Sequence, residues 1–413
     1  MEVIADLHMH GKYSRATSKD LTLTNIEKYA RQKGLSLVGT GDFTHPKWIE
    51  EISSQLQETS PDSGIYQTTT GFPFLLQTEI SLVYSQGGRG YRTHNLILAP
   101  NLEAVKNITT WLLTKGRVDY DGRPIFKIPC PEFVESLRAI DERIEIIPAH
   151  IWTPWFSLFG SKSGFNSVNE CFGDQVKYIH ALETGISSDP AMNWRVSQLD
   201  RFWMVSFSDS HSFWPWRMGR EATRFELHDI TYQNLITALR TGHGFRGTIE
   251  TSPNYGKYHV DGHRACGVML EPAESNKIGK ICPKCKQPLT IGVLNRVEEL
   301  ADRPIGYVRE DHPGFVTLLP LSEIIAAVTN CGLATKTVFS EYYKLLKLGT
   351  EFDILLNKTK QELETVTYQR IAEAIIQIRE GKVTYIPGYD GVYGKVLLKS
   401  EHGEHSAIET SKD

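Results

Sequence analysis

Histidine and carboxylate side chains follow short apolar runs at several points in the chain, an arrangement that suits the binding of divalent metal ions. The pattern is densest in the segment DLHMH near the start and in the segment SDSH much further along. Side chains at a strand end, where the strand opens into a loop, can converge on one metal ion. The residues predicted to bind metal in this way are His8, His10, Asp42, His45, Glu79, His94, His150, Asp209 and His211. One histidine after a strand is usually a loop or core residue, but a set of this size indicates a metal site.

The ligand-bearing segments need a fold that brings strand ends to one face. Apolar runs alternate with helical patterns in the first 250 residues, and they end near Asp6, Thr40, Glu79, Leu98, Ala149, Glu183 and Ser208. In a β/α barrel, side chains at the carboxyl ends of the strands form the site. The sequence therefore predicts an α/β barrel over residues 1–250, with the metals at its loop face.

Cysteine pairs mark a second metal site. Cys282 and Cys285 form a C-x-x-C turn, and His263 and Cys266 form an upstream pair with the same spacing. Three thiolates and one imidazole close the tetrahedral shell of a structural zinc ion, so such a site leaves no position for chemistry. His259 is an alternative fourth ligand. A redox C-x-x-C is the alternative function, although no thioredoxin-like βαβ pattern surrounds this one.

The remaining segments predict further boundaries. A zinc-binding module is expected over 251–302, because a turn-rich break precedes it. A mainly helical domain is expected over 303–398, where apolar residues recur at helical spacing. The polar segment 399–413 shows no periodicity and is predicted to be disordered.

Composition restricts the classes of function. The 413 residues carry a formal net charge of −4, which argues against binding nucleic acid through overall positive charge. Bound divalent cations would supply that charge locally, where a phosphate sits. The 6 cysteines fit reduced thiols, and no segment has the length and apolarity of a membrane span or an export signal. We therefore expect a soluble, cytoplasmic protein with no membrane partner.

Taken together, the motifs resemble those of the polymerase-and-histidinol-phosphatase (PHP) superfamily. The resemblance lies in DLHMH, GTGDFTH, a mid-chain TE, an isolated strand histidine, PAH and SDSH. Further segments are similar to the endonuclease Q family of DNA repair nucleases, namely YSRATSK, GKYHVDGHRAC, CPKC, LTIGVLNRVEELADRP and PGYDGVYGK. The resemblance extends from Asp6 to Lys395. It implies a distorted seven-stranded β/α barrel of the PHP type with an added zinc-binding module and a C-terminal helical domain.

The resemblance also implies two or three divalent metal ions in the barrel and one structural zinc. Nitrogen and oxygen ligands suit Zn²⁺, Mn²⁺, Fe or Mg²⁺, and the residues do not choose among them. Glu79 and Asp209 are the expected catalytic carboxylates, because each can bridge two ions that generate hydroxide at neutral pH. Asp6 is expected to orient a ligating histidine, and the choice between Asp42 and His45 stays open.

The implied function is hydrolysis of the phosphodiester bond 5′ of a deaminated base (uracil, hypoxanthine or xanthine) or of an abasic site in DNA. A small-molecule phosphoesterase of the histidinol-phosphatase type is the alternative, but it has no obvious need for the zinc module or the helical domain. A non-catalytic DNA-binding module is disfavoured because the ligand set is complete. The residues expected to contact DNA, through phosphates or by stacking on an unpaired base, are Lys12, Ser14, Arg15, Lys19, Trp152, Trp155, Phe213 and Trp214.

Overall fold

The computed structural model describes residues 1–399 and 405–409, and it begins with an α/β unit. The strands of this unit are β1 (Glu2–Asp6), β2 (Leu37–Gly39), β3 (Gln57–Glu58), β4 (Ile65–Gln67), β5 (Pro73–Leu75), β6 (Gln77–Gln86), β7 (Arg89–Leu98), β8 (Ile125–Phe126), β9 (Glu145–Pro148), β10 (Ala181–Glu183), β11 (Trp203–Val205), β12 (Ala222–Glu226) and β13 (Phe245–Glu250). Its helices are α1 (Leu23–Lys33), α2 (Pro46–Gln55), α3 (Leu102–Lys115), α4 (Cys130–Ile140), α5 (Val168–Phe172), α6 (Pro190–Trp194) and α7 (Tyr232–Thr241), with 3₁₀ turns at Gly173–Tyr178 and Ser197–Leu199.

The cysteine-containing segment and a mainly helical region follow. The first contains β14 (Asp261–His263), β15 (Val268–Leu270), α8 (Pro272–Lys277) and α9 (Val293–Leu300), with 3₁₀ turns at Pro253–Tyr255 and Arg264–Cys266. The second contains β16 (Phe315–Thr317), α10 (Leu321–Thr329), α11 (Lys336–Leu345), a 3₁₀ turn at Leu346–Leu348, α12 (Glu351–Leu356), α13 (Lys360–Glu364), α14 (Gln369–Arg379), β17 (Thr384–Ile386), β18 (Lys395–Lys399) and β19 (His405–Glu409). In the described part of the chain, no helix is long and apolar enough to cross a membrane.

The prediction of a disordered tail over 399–413 is wrong in part. Residues 405–409 form β19, which pairs antiparallel with β18. The backbone hydrogen bonds of that ladder order a polar segment that has no apolar periodicity of its own. Residues 400–404 and 410–413 lie outside the described residues.

The strands of the α/β unit lie in three sheets. One sheet has eight strands in the order β16-β13-β12-β1-β2-β5-β4-β3, the next has four in the order β8-β6-β7-β9, and β10 pairs with β11. The mixed α/β class is therefore confirmed, together with the C-terminal helices. Among the described strands, however, no ladder closes these sheets into the expected seven-stranded ring.

A long hairpin accounts for part of this difference. The sequence pattern predicts two barrel strands for the runs ending near Glu79 and Leu98, but β6 and β7 form one antiparallel hairpin. The turn consists of Gly87 and Gly88, with φ values of +56° and +79°. A two-residue hairpin turn with both central residues at positive φ favours glycine strongly. Glu79 consequently lies inside β6 and not at a strand end.

Local signals in the sequence set the first β-α-β unit. The side chain of Thr22 accepts a hydrogen bond from the backbone N–H of Asn25 at the start of α1, and Gly34 ends the helix in the left-handed conformation. The apolar face of α1 buries Ile26 and Ala30. The chain then returns so that β2 pairs parallel with β1.

A buried ion pair joins the C-terminal helices to this unit. Lys33 donates to the Glu351 carboxylate at 2.7 Å and to the backbone carbonyl of Pro215 at 2.8 Å. Glu351 also accepts from the Tyr342 hydroxyl at 2.8 Å. Pro215 belongs to the loop that follows Asp209, so the C-terminal helices help to hold a loop that carries predicted metal ligands.

Candidate metal centre

Four predicted ligands meet in one group at the end of β1. His8, His10, Glu79 and Asp209 each place a ligand atom within 4.8 Å of the others. His10 Nε2 lies 3.0 Å from Asp209 Oδ1 and 3.3 Å from Glu79 Oε2. His8 Nε2 lies 3.6 Å from Glu79 Oε2 and 3.5 Å from Asp209 Oδ1. Two imidazole nitrogens and two carboxylate oxygens therefore face a common point.

A second group shares Glu79 with the first. Glu79 Oε1 lies 2.8 Å from His94 Nδ1 and 3.2 Å from His150 Nε2. The β6–β7 register pairs Glu79 with Leu96 and Ser81 with His94, so Glu79 and His94 occupy the same face of the hairpin. A carboxylate with one oxygen toward each group is the arrangement that bridges two metal ions.

The backbone is strained at three of the predicted ligands. Asp42, His150 and Asp209 have positive φ values of 36°, 30° and 48°. Non-glycine residues rarely adopt this region, and such strain concentrates at functional sites. Here the unusual backbone turns side chains toward the site just after β2, β9 and β11 end.

Two carboxylates orient the histidines of the first group. His8 Nδ1 donates to Glu183, whose oxygens lie 2.9 and 3.1 Å away, and the backbone N–H of His150 donates to the same carboxylate at 2.7 Å. His10 Nδ1 lies 3.1 Å from Asp42 Oδ1. A carboxylate on the remote ring nitrogen fixes the tautomer and makes the other nitrogen a better metal ligand. The sequence pattern does not identify Glu183 as a site residue, although Glu183 ends one of the predicted strands.

Glu183→Gln is expected to lower metal affinity and any metal-dependent activity by about 10- to 100-fold. The amide cannot accept from both His8 and His150 in the present geometry. Glu145→Gln is the matched control, because the buried Glu145 carboxylate also accepts from a histidine Nδ1, that of His180, at 2.8 Å but belongs to neither ligand group. The check is metal content together with metal titration of both variants. Equal metal affinities in the two variants would refute the orienting role of Glu183.

The carboxylates create a site that attracts cations. Burial disfavours the charged form of His8, but Glu183, Asp209 and Glu79 outweigh it and raise its pKa well above the ordinary value. Burial lowers the pKa of His94 to about 4, and burial and His10 together lower that of His211 to about 4. These two rings are therefore neutral at neutral pH, with a free nitrogen lone pair.

The donor set fits divalent metal ions. His8 Nε2 is fully buried and has no hydrogen-bond partner among the described residues, although it faces two carboxylates. An unpartnered polar atom in the interior is costly, and a metal ion at this point would satisfy it. Imidazole nitrogens and carboxylate oxygens without sulfur suit Zn²⁺, Mn²⁺, Fe or Mg²⁺.

The remaining predicted ligands lie beside the two groups. The other oxygen of Asp42 accepts from the backbone N–H of Gly11 at 2.5 Å and from the Ser14 hydroxyl at 2.7 Å. Its carboxylate is thus occupied by protein hydrogen bonds. His45 stacks on Tyr13 with a ring distance of 4.6 Å and joins neither group.

His211 and Asp6 have different surroundings. The His211 ring lies 4.2 Å from the His10 ring, and its Nδ1 lies 3.9 Å from Asp209 Oδ1, so it stays at the edge of the first group. Asp6 accepts from the backbone N–H groups of Ser208 and Gly219 at 3.0 and 2.8 Å. The expectation that Asp6 orients a ligating histidine is corrected, because its hydrogen bonds hold the loop around Asp209.

Two arginines reach the centre from loops that gave no signal in the sequence. Arg123 Nη1 donates to Glu79 Oε2 at 2.9 Å. Gly122 allows this approach, because a Cβ there would clash with the side chains of Ser14 and Asp42. Arg123 and Arg220 both line a cavity of about 240 Å³ that opens beside Asp209. The Nε atom of Arg220 is buried and unpartnered within the described chain.

Two of the four aromatic residues expected to stack on a base are buried. Trp152 is fully buried and donates to Asn193 at 2.7 Å, and Phe213 is buried against Tyr29. Trp214 stacks on Trp216, with ring centroids 5.0 Å apart. The expectation is corrected for Trp152 and Phe213, because core packing covers their ring faces, and it stays a prediction for Trp214, which is partly exposed. Trp155 differs, since it is 39% exposed and lines the cavity.

The polar residues expected at DNA phosphates also differ in their burial and ion pairing. Ser14 is buried against Asp42, which corrects its expected contact with DNA. Lys12 pairs with Glu51 at 2.8 Å. Arg15 is largely exposed and lies 3.3 Å from Asp121, and Lys19 is exposed. Arg15 and Lys19 are therefore the two that remain open to a ligand.

The cysteine knuckle forms a separate group of potential ligands. The atoms that lie within 4.8 Å of one another belong to His263, Cys266, Cys282 and Cys285. His259 is outside this group, which favours His263 as the fourth member. Burial raises the pKa of a thiol, but the backbone N–H groups of Cys285 and Lys284 outweigh it and lower the pKa of Cys282 to about 6. Three thiols and one imidazole fit a structural zinc ion.

Comparison with known proteins assigns this chain to a family. Histidines and carboxylates at the strand ends of an α/β fold are typical of metal-dependent hydrolases. The uncharacterized protein YqxK of Bacillus subtilis is 31% identical over 416 residues, which cover 96% of this chain and 99% of that protein. The structure of the lesion-specific endonuclease PfuEndoQ from Pyrococcus furiosus superposes with a TM-score of 0.87 and 31% identity, covering 97% of this chain and 96% of that one. The chain belongs to the endonuclease Q family.

Three further comparisons accompany this assignment. Endonuclease Q in complex with a 27-mer duplex substrate, with an abasic lesion at its active site, matches with a TM-score of 0.86 and 31% identity over 98% of this chain and 99% of that one. The uncharacterized protein MJ0043 of Methanocaldococcus jannaschii is 30% identical over 308 residues, or 72% of this chain, but the match spans only 37% of that protein's length. A family described as the MJ0043 C-terminal domain matches residues 320–382.

Proposed function

We propose that this protein is a metal-dependent DNA repair endonuclease that hydrolyses the phosphodiester bond 5′ of a deaminated base or an abasic site. The observation that carries the proposal is the pair of ligand groups joined by Glu79 beside an open cavity. The full-length likeness to a lesion-specific endonuclease and to its complex with abasic DNA supports the substrate class.

The chain's own residues define the roles that this function requires. Glu79 and Asp209 are proposed as the bridging carboxylates, with His8, His10, His94 and His150 as further ligands. Metal ions held there supply a Lewis acid and lower the pKa of water. Arg123 and Arg220 face the cavity, and their guanidinium groups suit phosphate oxygens.

A distorted seven-stranded barrel of the PHP type is a further part of this proposal. The eight-stranded sheet contributes β1, β2 and β5, and β6 follows β5 directly at the point where the four-stranded sheet begins. Single hydrogen bonds link the other sheets, as from the backbone N–H of Ile151 to the carbonyl of Glu183. An isolated β-bridge between Met9 and Ser210 connects the segment after β1 with the segment after β11. The domain boundaries near 250 and 302 are part of the same proposal.

Incision of defined duplexes tests this function. A labelled duplex with one uracil or abasic site, and the same duplex without the lesion, are incubated with the protein and Mg²⁺ or Mn²⁺. We expect a single cut in the lesion strand and none in the matched duplex. Rapid hydrolysis of small phosphomonoesters without any lesion-dependent cut would favour the phosphatase alternative.

The lesion preference should depend on Trp155. Its exposed ring lines the cavity beside His150 and Asp209, so it can stack on an extruded base. Trp155→Ala is expected to cost about 1–3 kcal/mol of stacking, or roughly 5- to 150-fold in the preference for uracil-containing over matched duplex. The measurement is the ratio of the two affinities at one fixed salt concentration.

Two variants control this prediction. Trp214→Ala removes a ring that packs on Phe339 of α11, so it should lower stability but leave the ratio unchanged. Arg15→Ala should weaken binding to damaged and matched duplexes alike, because phosphate contacts carry no base information. A Trp155→Ala protein with the wild-type ratio would place the base pocket elsewhere.

A further inference from the structure

A second cavity lies next to the one at the metal centre. It is a groove of about 770 Å³ lined by residues of the β6–β7 hairpin, of the segment before α4 and of the loop after His150. Trp155 lines both this groove and the smaller cavity beside Asp209. The two spaces therefore meet at one exposed aromatic ring.

The groove is strongly positive, in contrast to the protein as a whole. Its lining includes Arg92, Lys127 and Lys162 and contains no carboxylate, although the net charge of the chain is −4. All three side chains are exposed. None of them forms an ion pair in the described part of the chain, whereas Lys115 pairs with Glu132 and Lys280 with Glu299.

The floor of the groove is rigid and aromatic. Tyr91 stacks on Phe165 with ring centroids 3.7 Å apart and an interplanar angle of 4°. Arg92 lies over the ring of Phe156 at 5.6 Å, which fixes one of the cations. Tyr91 and Phe165 are buried, whereas Trp155 is exposed. Unpaired cations beside an exposed aromatic ring are typical of grooves that bind a nucleic-acid strand.

We propose that this groove binds the DNA strand that flanks the lesion, as it leaves the metal centre past Trp155. The inference rests on the proposed function, because it assigns a path to the substrate of the same site. Lys127 and Lys162 neutralise successive phosphates of that strand, and Arg92, held by Phe156, contributes a fixed positive charge. Binding of a strand at this position holds the scissile linkage against the metal ligands while the base is extruded.

The salt dependence of binding tests the groove directly. Affinity for an abasic duplex is measured at several salt concentrations in an Asp209→Asn background, in which the DNA is not cut. Each phosphate contact contributes about 0.7 to the slope of log affinity against log salt where the strand is single, and about 0.9 where it is base-paired. Lys127→Ala/Lys162→Ala should therefore reduce the slope by about 1.4 to 1.8.

A control variant and a DNA length series sharpen the test. Lys106→Ala removes an exposed lysine of α3 that lines neither cavity, and it should leave the slope unchanged. The groove is proposed to hold the lesion strand on one side of the lesion. Shortening the strand from the end on that side, one nucleotide at a time, should abolish the difference in salt slope between wild type and double variant. Shortening it from the opposite end should not.

The outcomes separate the two proposals. If wild type cuts lesion DNA but the double variant keeps the wild-type slope, or changes it no more than Lys106→Ala does, the groove assignment is overturned and the proposed function stands. If wild type neither binds nor cuts lesion DNA, the proposed function fails and the groove assignment fails with it. A reduced slope without dependence on strand length would show general attraction and would also overturn the assigned path.

Discussion

Asp209→Asn is expected to reduce incision of lesion DNA by orders of magnitude while the protein still folds and binds DNA. Asp209 Oδ1 faces both His8 and His10 within 3.5 Å, so the amide removes a negative charge from the centre of the first ligand group. The side chain is 31% exposed, and the substitution leaves no buried cavity. The measurement is the single-turnover incision rate at saturating enzyme, beside the affinity for the same duplex.

Asp42→Asn provides the graded comparison for this prediction. Asp42 orients His10 and accepts from Gly11 and Ser14, so its loss should cost only about 10- to 100-fold. Incision by a folded Asp209→Asn protein at a rate near that of wild type would exclude a bridging role. An Asp42→Asn effect as large as that of Asp209→Asn would instead make Asp42 a direct ligand.

Cys282→Ser is expected to remove one zinc ion per chain and to unfold the knuckle locally. A structural zinc supplies about 10–16 kcal/mol of apparent binding energy to a small module, and that energy is folding energy. Cys282 is fully buried in a small hydrophobic cluster, whose other buried members among the described residues are Val268 and Leu289. A core of this size is too small to keep the segment folded without the metal.

Cys331→Ser is the matched control for the knuckle. Cys331 is a partly buried free thiol of the C-terminal region and belongs to no metal group in the described chain. It should keep the wild-type zinc content and proteolysis pattern, whereas Cys282→Ser should lose zinc and become sensitive to protease between about residues 255 and 300. An unchanged zinc content in Cys282→Ser would refute the assignment.

The strand-end pattern predicted much of the centre because metal ligands are chemically conspicuous. Histidines after apolar runs pointed to His8, His10 and His150, and the structure brings these residues together with Glu79 and Asp209. The knuckle was predictable for the same reason, since the C-x-x-C spacing places Cys282 and Cys285 in one turn. The α/β class followed from the alternation of strand and helix patterns.

Other features depend on tertiary packing that a sequence pattern does not encode. Glu183 acts through a hydrogen bond to His8 across a long sequence separation, and Arg123 arrives from an irregular loop. Trp152 and Trp155 lie three residues apart, yet one is buried and the other is exposed. Ring orientation in a loop is set by packing, so the sequence could not separate the two. The dipeptide Gly87-Gly88 is a hairpin-turn signal in the sequence. The prediction of two separate barrel strands did not take it into account.

Metal-dependent incision at a lesion is tested most directly by mapping the cut that metal-depleted protein makes after metal is restored. An end-labelled duplex with one abasic site or uracil is incubated with metal-depleted protein, to which Mg²⁺, Mn²⁺ or Zn²⁺ is then added. We expect no cut before addition, and afterwards one cut 5′ of the lesion that leaves a 3′-hydroxyl extendable by a polymerase. Metal-independent cutting, release of the base with an intact strand, or equal cutting of the undamaged duplex would contradict it.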